Sequence, residues 1–160
     1  VMQIAHTLAA VAKENFSADV DEKNIVLCGL YHDISEILTG DMPTPVKYND
    51  DVLKKAYKDM EAKATDKMIE TVDPQLKSHI APFVKGDMLS EREQKILKAA
   101  DKLSALIKCM EELQCGNAEF KLAFESTEKS LQDMKLPEVD YFMENMLPAY
   151  NLCLDELAKI

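Results

Sequence analysis

Apolar residues recur at helical spacing from the first residue of the chain. Val1, Ile4, Ala5, Leu8, Ala9 and Ala12 mark one face and predict a helix that ends near Glu14 or Asn15. Asp19 or Asp21 is placed to cap the next helix. From Glu22 to about Thr39, the residues Ile25, Val26, Leu27, Leu30, Tyr31, Ile34, Ile37 and Leu38 form a wide apolar face, which predicts one central helix packed against the core. Gly40 ends it, since glycine takes positive φ without a Cβ clash. The prolines of Gly40-Asp41-Met42-Pro43-Thr44-Pro45 fix backbone angles and remove N–H donors, so this stretch reads as a stiff loop.

The second half of the chain is equally helical in pattern. Asp51 to Val72 is highly charged with a narrow stripe, Leu53, Ala56, Met60, Ala64 and Met68, which predicts a surface helix interrupted at Asp73-Pro74. A shorter helical piece follows from Pro74 to Val84. Ser90-Glu91-Arg92-Glu93 has the form of a capping box, so a long helix should begin there. Its apolar positions run from Ile96 through Leu113 to Gly116 and enclose Asp101 in a buried-looking stretch. Further helices are expected from Asn117 to about Met134 and from Pro137, with a bend at Pro148. No repeat or linker interrupts the pattern. The fold class is therefore all-α, with six or seven helices in one bundle and one domain over residues 1–160.

Composition supports this reading and narrows the function. With 47% apolar and 30% charged residues the chain can bury a core, and its 4 Gly and absence of Trp accord with helix. A net charge of −10 argues against a protein that works by neutralising long nucleic acid. A small phosphate substrate stays open, because a bound dication reverses the local field of an acidic site. Cys28, Cys109, Cys115 and Cys153 show no CxxC spacing and read as reduced core thiols. Without an apolar run of 18 residues or a charged-then-apolar leader, a cytoplasmic protein with no membrane partner is expected. Val1 falls inside a helical pattern, so residues are expected upstream of it.

The chemistry gathers at His32-Asp33-Ile34-Ser35-Glu36. On a continuous helix His32 and Glu36 share a face, and Asp33 lies about 100° away, close enough to converge with His32 on one ion. Polar groups set among Leu30, Tyr31, Ile34, Ile37 and Leu38 need compensation if that turn is buried. A divalent metal held by His32, Asp33 and the distant Asp101 would supply it and leave positions for water or a phosphate oxygen. A structural buried ion pair is the alternative. The dipeptide alone is weak; its weight comes from Glu36, the Gly40-Asp41 turn and Asp101 together.

The run Tyr31-His32-Asp33-Ile34-Ser35-Glu36-Ile37-Leu38-Thr39-Gly40-Asp41-Met42-Pro43-Thr44-Pro45-Val46-Lys47 closely resembles the bacterial HD-domain 5′-deoxynucleotidases, relatives of the wider HD phosphohydrolase superfamily. Lys98-Ala99-Ala100-Asp101-Lys102-Leu103 resembles their second aspartate motif, and Lys108 to Leu113 and Asp140 to Glu144 extend the likeness over nearly the whole chain. The resemblance implies a helical bundle of HD-domain type. It also implies metal ligation by His32, Asp33 and Asp101, with Co, Mn, Zn or a similar divalent ion, and Glu36 as catalytic acid/base. Asp41, Met42, Pro43 and Thr44 would contact a nucleoside monophosphate, and the protein would form a homodimer. The family has a further histidine ligand in the first helix and an Arg-Trp pair before it; by the likeness these precede Val1. His6 falls at a different place in the helix pattern and reads as an ordinary helical histidine.

Glu36 can carry a proton between a water and the leaving sugar oxygen, or else hydrogen-bond the metal ligands. The implied activity is hydrolysis of deoxyribonucleoside 5′-monophosphates. The alternatives are another HD phosphohydrolase, such as a phosphodiesterase or nucleotide-alarmone hydrolase, and a catalytically silent helical regulatory module. His79 has no acidic partner at ligand spacing and reads as a surface or packing residue, Lys47 as a solvated lysine, and Met143, Met146, Leu147 and Tyr150 as core or subunit interface.

Overall fold

The computed structural model describes residues 1–42 and 50–159. Pro43 and Thr44, two of the expected substrate contacts, and Lys47 lie outside the described residues. All regular structure among the described residues is helical. In chain order the α-helices are α1 (Met2–Phe16), α2 (Glu22–Tyr31), α3 (Glu36–Thr39), α4 (Asp51–Glu70), α5 (Lys77–Lys85), α6 (Glu91–Gln114), α7 (Lys121–Asp133), α8 (Pro137–Asn145) and α9 (Leu154–Leu157). Short 3₁₀ segments, Ala118–Phe120 and Leu147–Asn151, precede α7 and follow α8. The fold is all-α. The chain divides into two compact units, one of Val1–Gly29 with Leu89–Ile160 and the other of Leu30–Met88.

In the first unit α6 packs against α1 and α7, and α1 also packs against α8. Leu8 and Ala12 of α1, Ile96, Leu103 and Leu106 of α6, Leu131 of α7 and Val139 of α8 are all fully buried. Each of the Leu, Ile and Val side chains contributes about 1.5–3 kcal/mol on leaving water. The capping box forms as the sequence predicts: Ser90 Oγ accepts from the Glu93 N–H at 3.3 Å, and the Glu93 carboxylate accepts from the Ser90 N–H at 2.7 Å. Its second oxygen accepts from the Asp21 N–H at 2.7 Å, which ties the start of α6 to the start of α2. Asp21 itself caps α2 through the Asn24 N–H at 3.0 Å. Gly29 lets three helices approach closely, since a Cβ there would stand 3.2 Å from Leu97 Cδ1 and 3.5 Å from the Met2 Cα.

In the second unit α4 packs against both α3 and α5. Asp50 caps α4 by accepting from the Leu53 N–H at 2.8 Å, and Lys85 joins α5 to Asp66 of α4 at 2.8 Å. The buried stripe of α4 differs from the expected one. Tyr57 and Ala64 are buried, whereas Ala56 and Met60 are exposed. The aromatic ring buries more surface than either Ala56 or Met60 could, and it turns the helix accordingly.

Two further expectations are corrected. The continuous helix from Glu22 to Thr39 stops at Tyr31, and residues 32–35 form turns before α3 begins. Leu30, Ile37 and Leu38 are exposed rather than packed against a core. The cysteines also divide: Cys28 and Cys109 are buried, but Cys115 and Cys153 are exposed thiols. Cys115 follows the last residue of α6, where the helix has already left its packed face.

Candidate active site

The His-Asp pair sits where the helical winding tightens. The Ile34 N–H donates to the Tyr31 carbonyl at 3.0 Å, Glu36 to Asp33 at 2.9 Å, and Leu38 to Ser35 at 3.0 Å. These are i to i−3 bonds; the i to i−4 pattern returns with Thr39 to Ser35 at 3.1 Å and Gly40 to Glu36 at 2.9 Å. The Glu36 N–H thus rests on the Asp33 carbonyl, which links the two residues through the backbone of the turn. The expectation that His32 and Glu36 share one face of a continuous helix is corrected by this change of winding.

His32 Nε2 lies 2.7 Å from Asp33 Oδ2. The imidazole is 22% exposed and the carboxylate 55%, so the pair stands at the surface of its unit with the ring tucked under. At 2.7 Å the two groups are within direct hydrogen-bonding distance of each other, and a borderline nitrogen donor beside a hard oxygen donor is the kind of pair that would suit a divalent cation. The donor set fits the implied metal. Among the described residues no three His, Cys, Asp or Glu side chains converge as a metal-binding group.

The other predicted residues fall into place unequally. Glu36 opens α3 and is half-buried, and Asp41 and Met42 follow Gly40, with Asp41 exposed and Met42 half-buried. Gly40 has φ 69° and ψ 168°. The positive φ is as expected, but ψ places it in an extended region that only glycine enters readily, not in the left-handed helical one. Asp101 belongs to the first unit and is exposed on α6, contrary to the buried position expected. At 100° per residue it projects about 130° from the centre of the stripe of Ile96, Ala100, Leu103 and Ile107, so it is turned away from the buried face that its apolar sequence neighbours form. His6 lies 3.5 Å from Glu22, and His79 is exposed.

Sequence reasoning missed Tyr57. Its hydroxyl donates to the Gly40 carbonyl at 2.9 Å, joining α4 to the residue before Asp41. The one available signal was its place on the same face as Leu53 and Ala64, where a large ring can cover more of the neighbouring elements than either aliphatic residue.

The profile of the family described as 5′-deoxynucleotidase YfbR-like matches residues 1–150. The chain belongs to the YfbR-like 5′-deoxynucleotidase family. It is 42% identical over 159 residues to the 5′-deoxynucleotidase YfbR of Salmonella arizonae, a match that covers 99% of this chain and 80% of that protein. The same identity and coverage hold for a 5′-deoxynucleotidase of Citrobacter koseri and for YfbR of Escherichia coli O127:H6. The crystal structure of an HD-domain phosphohydrolase from Listeria innocua superposes with a TM-score of 0.79 at 27% identity, over 93% of this chain and 72% of that one. The YfbR-like chain thus carries an HD phosphohydrolase fold, and its family is one of phosphomonoester hydrolases. Among its described residues no helix is long and apolar enough to cross a membrane.

Proposed function

We propose that this YfbR-like protein hydrolyses deoxyribonucleoside 5′-monophosphates to deoxyribonucleoside and phosphate, with a divalent metal ion as cofactor. The observation that carries the reading is the His32–Asp33 pair, held at 2.7 Å in a tight turn of a chain from this family. His32 and Asp33 would hold the ion, and Asp101 takes a ligand role on the likeness of its motif alone. When bound, the ion supplies a nucleophile at neutral pH by lowering the pKa of its water toward about 7, together with charge stabilisation at phosphorus.

The chain's own residues handle substrate and protons. In the reaction a water oxygen forms a bond to phosphorus, the bond from phosphorus to the 5′ sugar oxygen breaks, and one proton passes from the water to that oxygen. Glu36, joined to Asp33 by a backbone hydrogen bond at the start of α3, is the group assigned to carry it. Asp41, Met42, Pro43 and Thr44 are assigned to the nucleotide, with the Asp41 carboxylate as acceptor for a sugar hydroxyl. Residues 1–160 act in this reading as one HD domain of a cytoplasmic homodimer. The ion is Co, Mn, Zn or a similar divalent metal, whose charge offsets the net −10 of the chain at the phosphate.

The test is metal analysis of the purified protein followed by phosphate release from deoxyribo- and ribonucleoside 5′-monophosphates, 3′-monophosphates and cyclic nucleotides. Bound divalent metal and turnover confined to the deoxyribonucleoside 5′-monophosphates is the expected result. Preferential turnover of a cyclic nucleotide would move the protein to the phosphodiesterases, and a metal-free protein without turnover would remove the enzymatic reading.

A further inference from the structure

Tyr57 is only 3% exposed, although it belongs to the highly charged α4. A buried phenol needs a hydrogen-bond partner for its hydroxyl. Its donor meets the Gly40 carbonyl at 2.9 Å, seventeen residues earlier in the chain. The Thr39 hydroxyl lies 3.0 Å from the same carbonyl oxygen, so two side chains hold one backbone group.

That backbone group stands at a point where direction matters. Gly40 ends α3 with φ 69° and ψ 168°, a conformation that a residue with a Cβ adopts only under strain. Among the described residues, its chain neighbours aside, no atom lies within 4 Å of the position a Cβ would take, so the glycine answers a demand of the backbone angles. With the peptide plane free to turn, the angles of Gly40 would leave Asp41 many orientations. A hydrogen bond from a buried side chain on a 20-residue helix removes that freedom.

We propose that Tyr57 is a positioning residue for substrate: by holding the Gly40 carbonyl it aims Asp41 at the nucleotide. The proposal rests on the assignment of Asp41 to the substrate under the proposed function. Its energetic scale is that of one neutral hydrogen bond, and it acts on binding. The ligand pair His32 and Asp33 precedes α3, whereas the peptide that Tyr57 holds follows it.

Tyr57→Phe removes the hydroxyl and keeps the ring that fills the α4 stripe, so the fold should persist. In this variant KM for deoxyribonucleoside 5′-monophosphates should rise about three- to tenfold with kcat within about twofold, the pattern of a lost binding contact. Preference for deoxyribo- over ribonucleotides should fall in step. Amide hydrogen exchange, which needs no activity, should quicken at Asp41 and Met42 and not in the middle of α4. A lower melting temperature with unchanged KM and selectivity would reduce Tyr57 to a packing residue and overturn the proposal, as would unchanged exchange at Asp41 and Met42. If the wild-type protein hydrolyses no monophosphate, the functional reading fails first, and the substrate role of Tyr57 falls with it even if the exchange result holds.

Discussion

The Glu93 carboxylate accepts the Asp21 N–H at 2.7 Å while it closes the capping box on Ser90, also at 2.7 Å. One buried side chain thus satisfies backbone donors at the starts of two helices that lie 72 residues apart. Burial pushes the Glu93 carboxyl up, but the N–H groups of Asp21 and Ser90 and the Ser90 side chain outweigh it and hold the group below its ordinary 4.5. A carboxyl with a depressed folded pKa contributes stability above its unfolded pKa, and that contribution is lost as pH falls through the folded value. Glu93→Gln turns an amide donor toward one of the N–H groups and should cost about 1–3 kcal/mol at pH 7. The gap in melting temperature between wild type and variant should stay constant from pH 7 to about 5 and close on further acidification. A gap independent of pH would show that the charge contributes nothing.

Local signals are legible in the sequence and long-range ones are not. Ser90 and Glu93 announce the start of α6 because both partners of the cap lie within four residues. Nothing near Glu93 reveals that Asp21 shares its carboxylate, since that contact exists only once the chain has folded. Apolar periodicity runs unbroken through Ile34 and Ile37, so it hides the change of winding at His32–Ser35. Asp101 misled for a related reason: Ala100 and Leu103 flank it in sequence yet face away from it on the helix. Tyr57 was passed over because a stripe drawn through Ala56 and Met60 is also helical in spacing. The residues that carry the family likeness, in contrast, form short contiguous runs, the longest from Tyr31 to Lys47, and a contiguous run needs no folding to be seen.

Arg92 and Glu138 form a second long-range link, from α6 to α8. Arg92 Nη2 lies 3.2 and 3.1 Å from the two oxygens of Glu138, whose side chain is fully buried. Arg92→Met would leave a carboxylate inside the protein without its cation. Because the arginine is 40% exposed, the expected loss is about 1–3 kcal/mol, below that of a fully buried pair. Arg92→Met combined with Glu138→Leu should recover most of it, since the desolvated charge is then gone. Urea unfolding of the three proteins checks this, and a single variant as stable as wild type would refute it.

Glu36 offers a kinetic prediction that separates its two readings. Glu36→Gln keeps shape and hydrogen bonding but cannot carry a proton. If Glu36 moves the proton, kcat should fall about 10²- to 10⁴-fold while metal content is unchanged. If it only orients the ligands, metal affinity should instead fall about 10- to 100-fold, and kcat should return at saturating metal. Steady-state kinetics across a metal titration distinguishes the outcomes.

Metal binding itself has a readout that does not require turnover. A ligand that binds only the folded state raises stability by about 2.7 kcal/mol at a hundred times its dissociation constant. Adding Mn, Co or Zn to chelator-treated protein should therefore raise its melting temperature and restore phosphate release. His32→Ala removes the nitrogen donor that stands 2.7 Å from Asp33, and Asp33→Ala removes the oxygen; each should abolish the shift. Asp101→Ala is the more demanding case, because its ligand role rests on the motif around it, and its carboxylate is exposed on α6. Loss of both the thermal shift and turnover in Asp101→Ala would establish it as a ligand. Retention of both would leave His32 and Asp33 in place and strike Asp101 from the set.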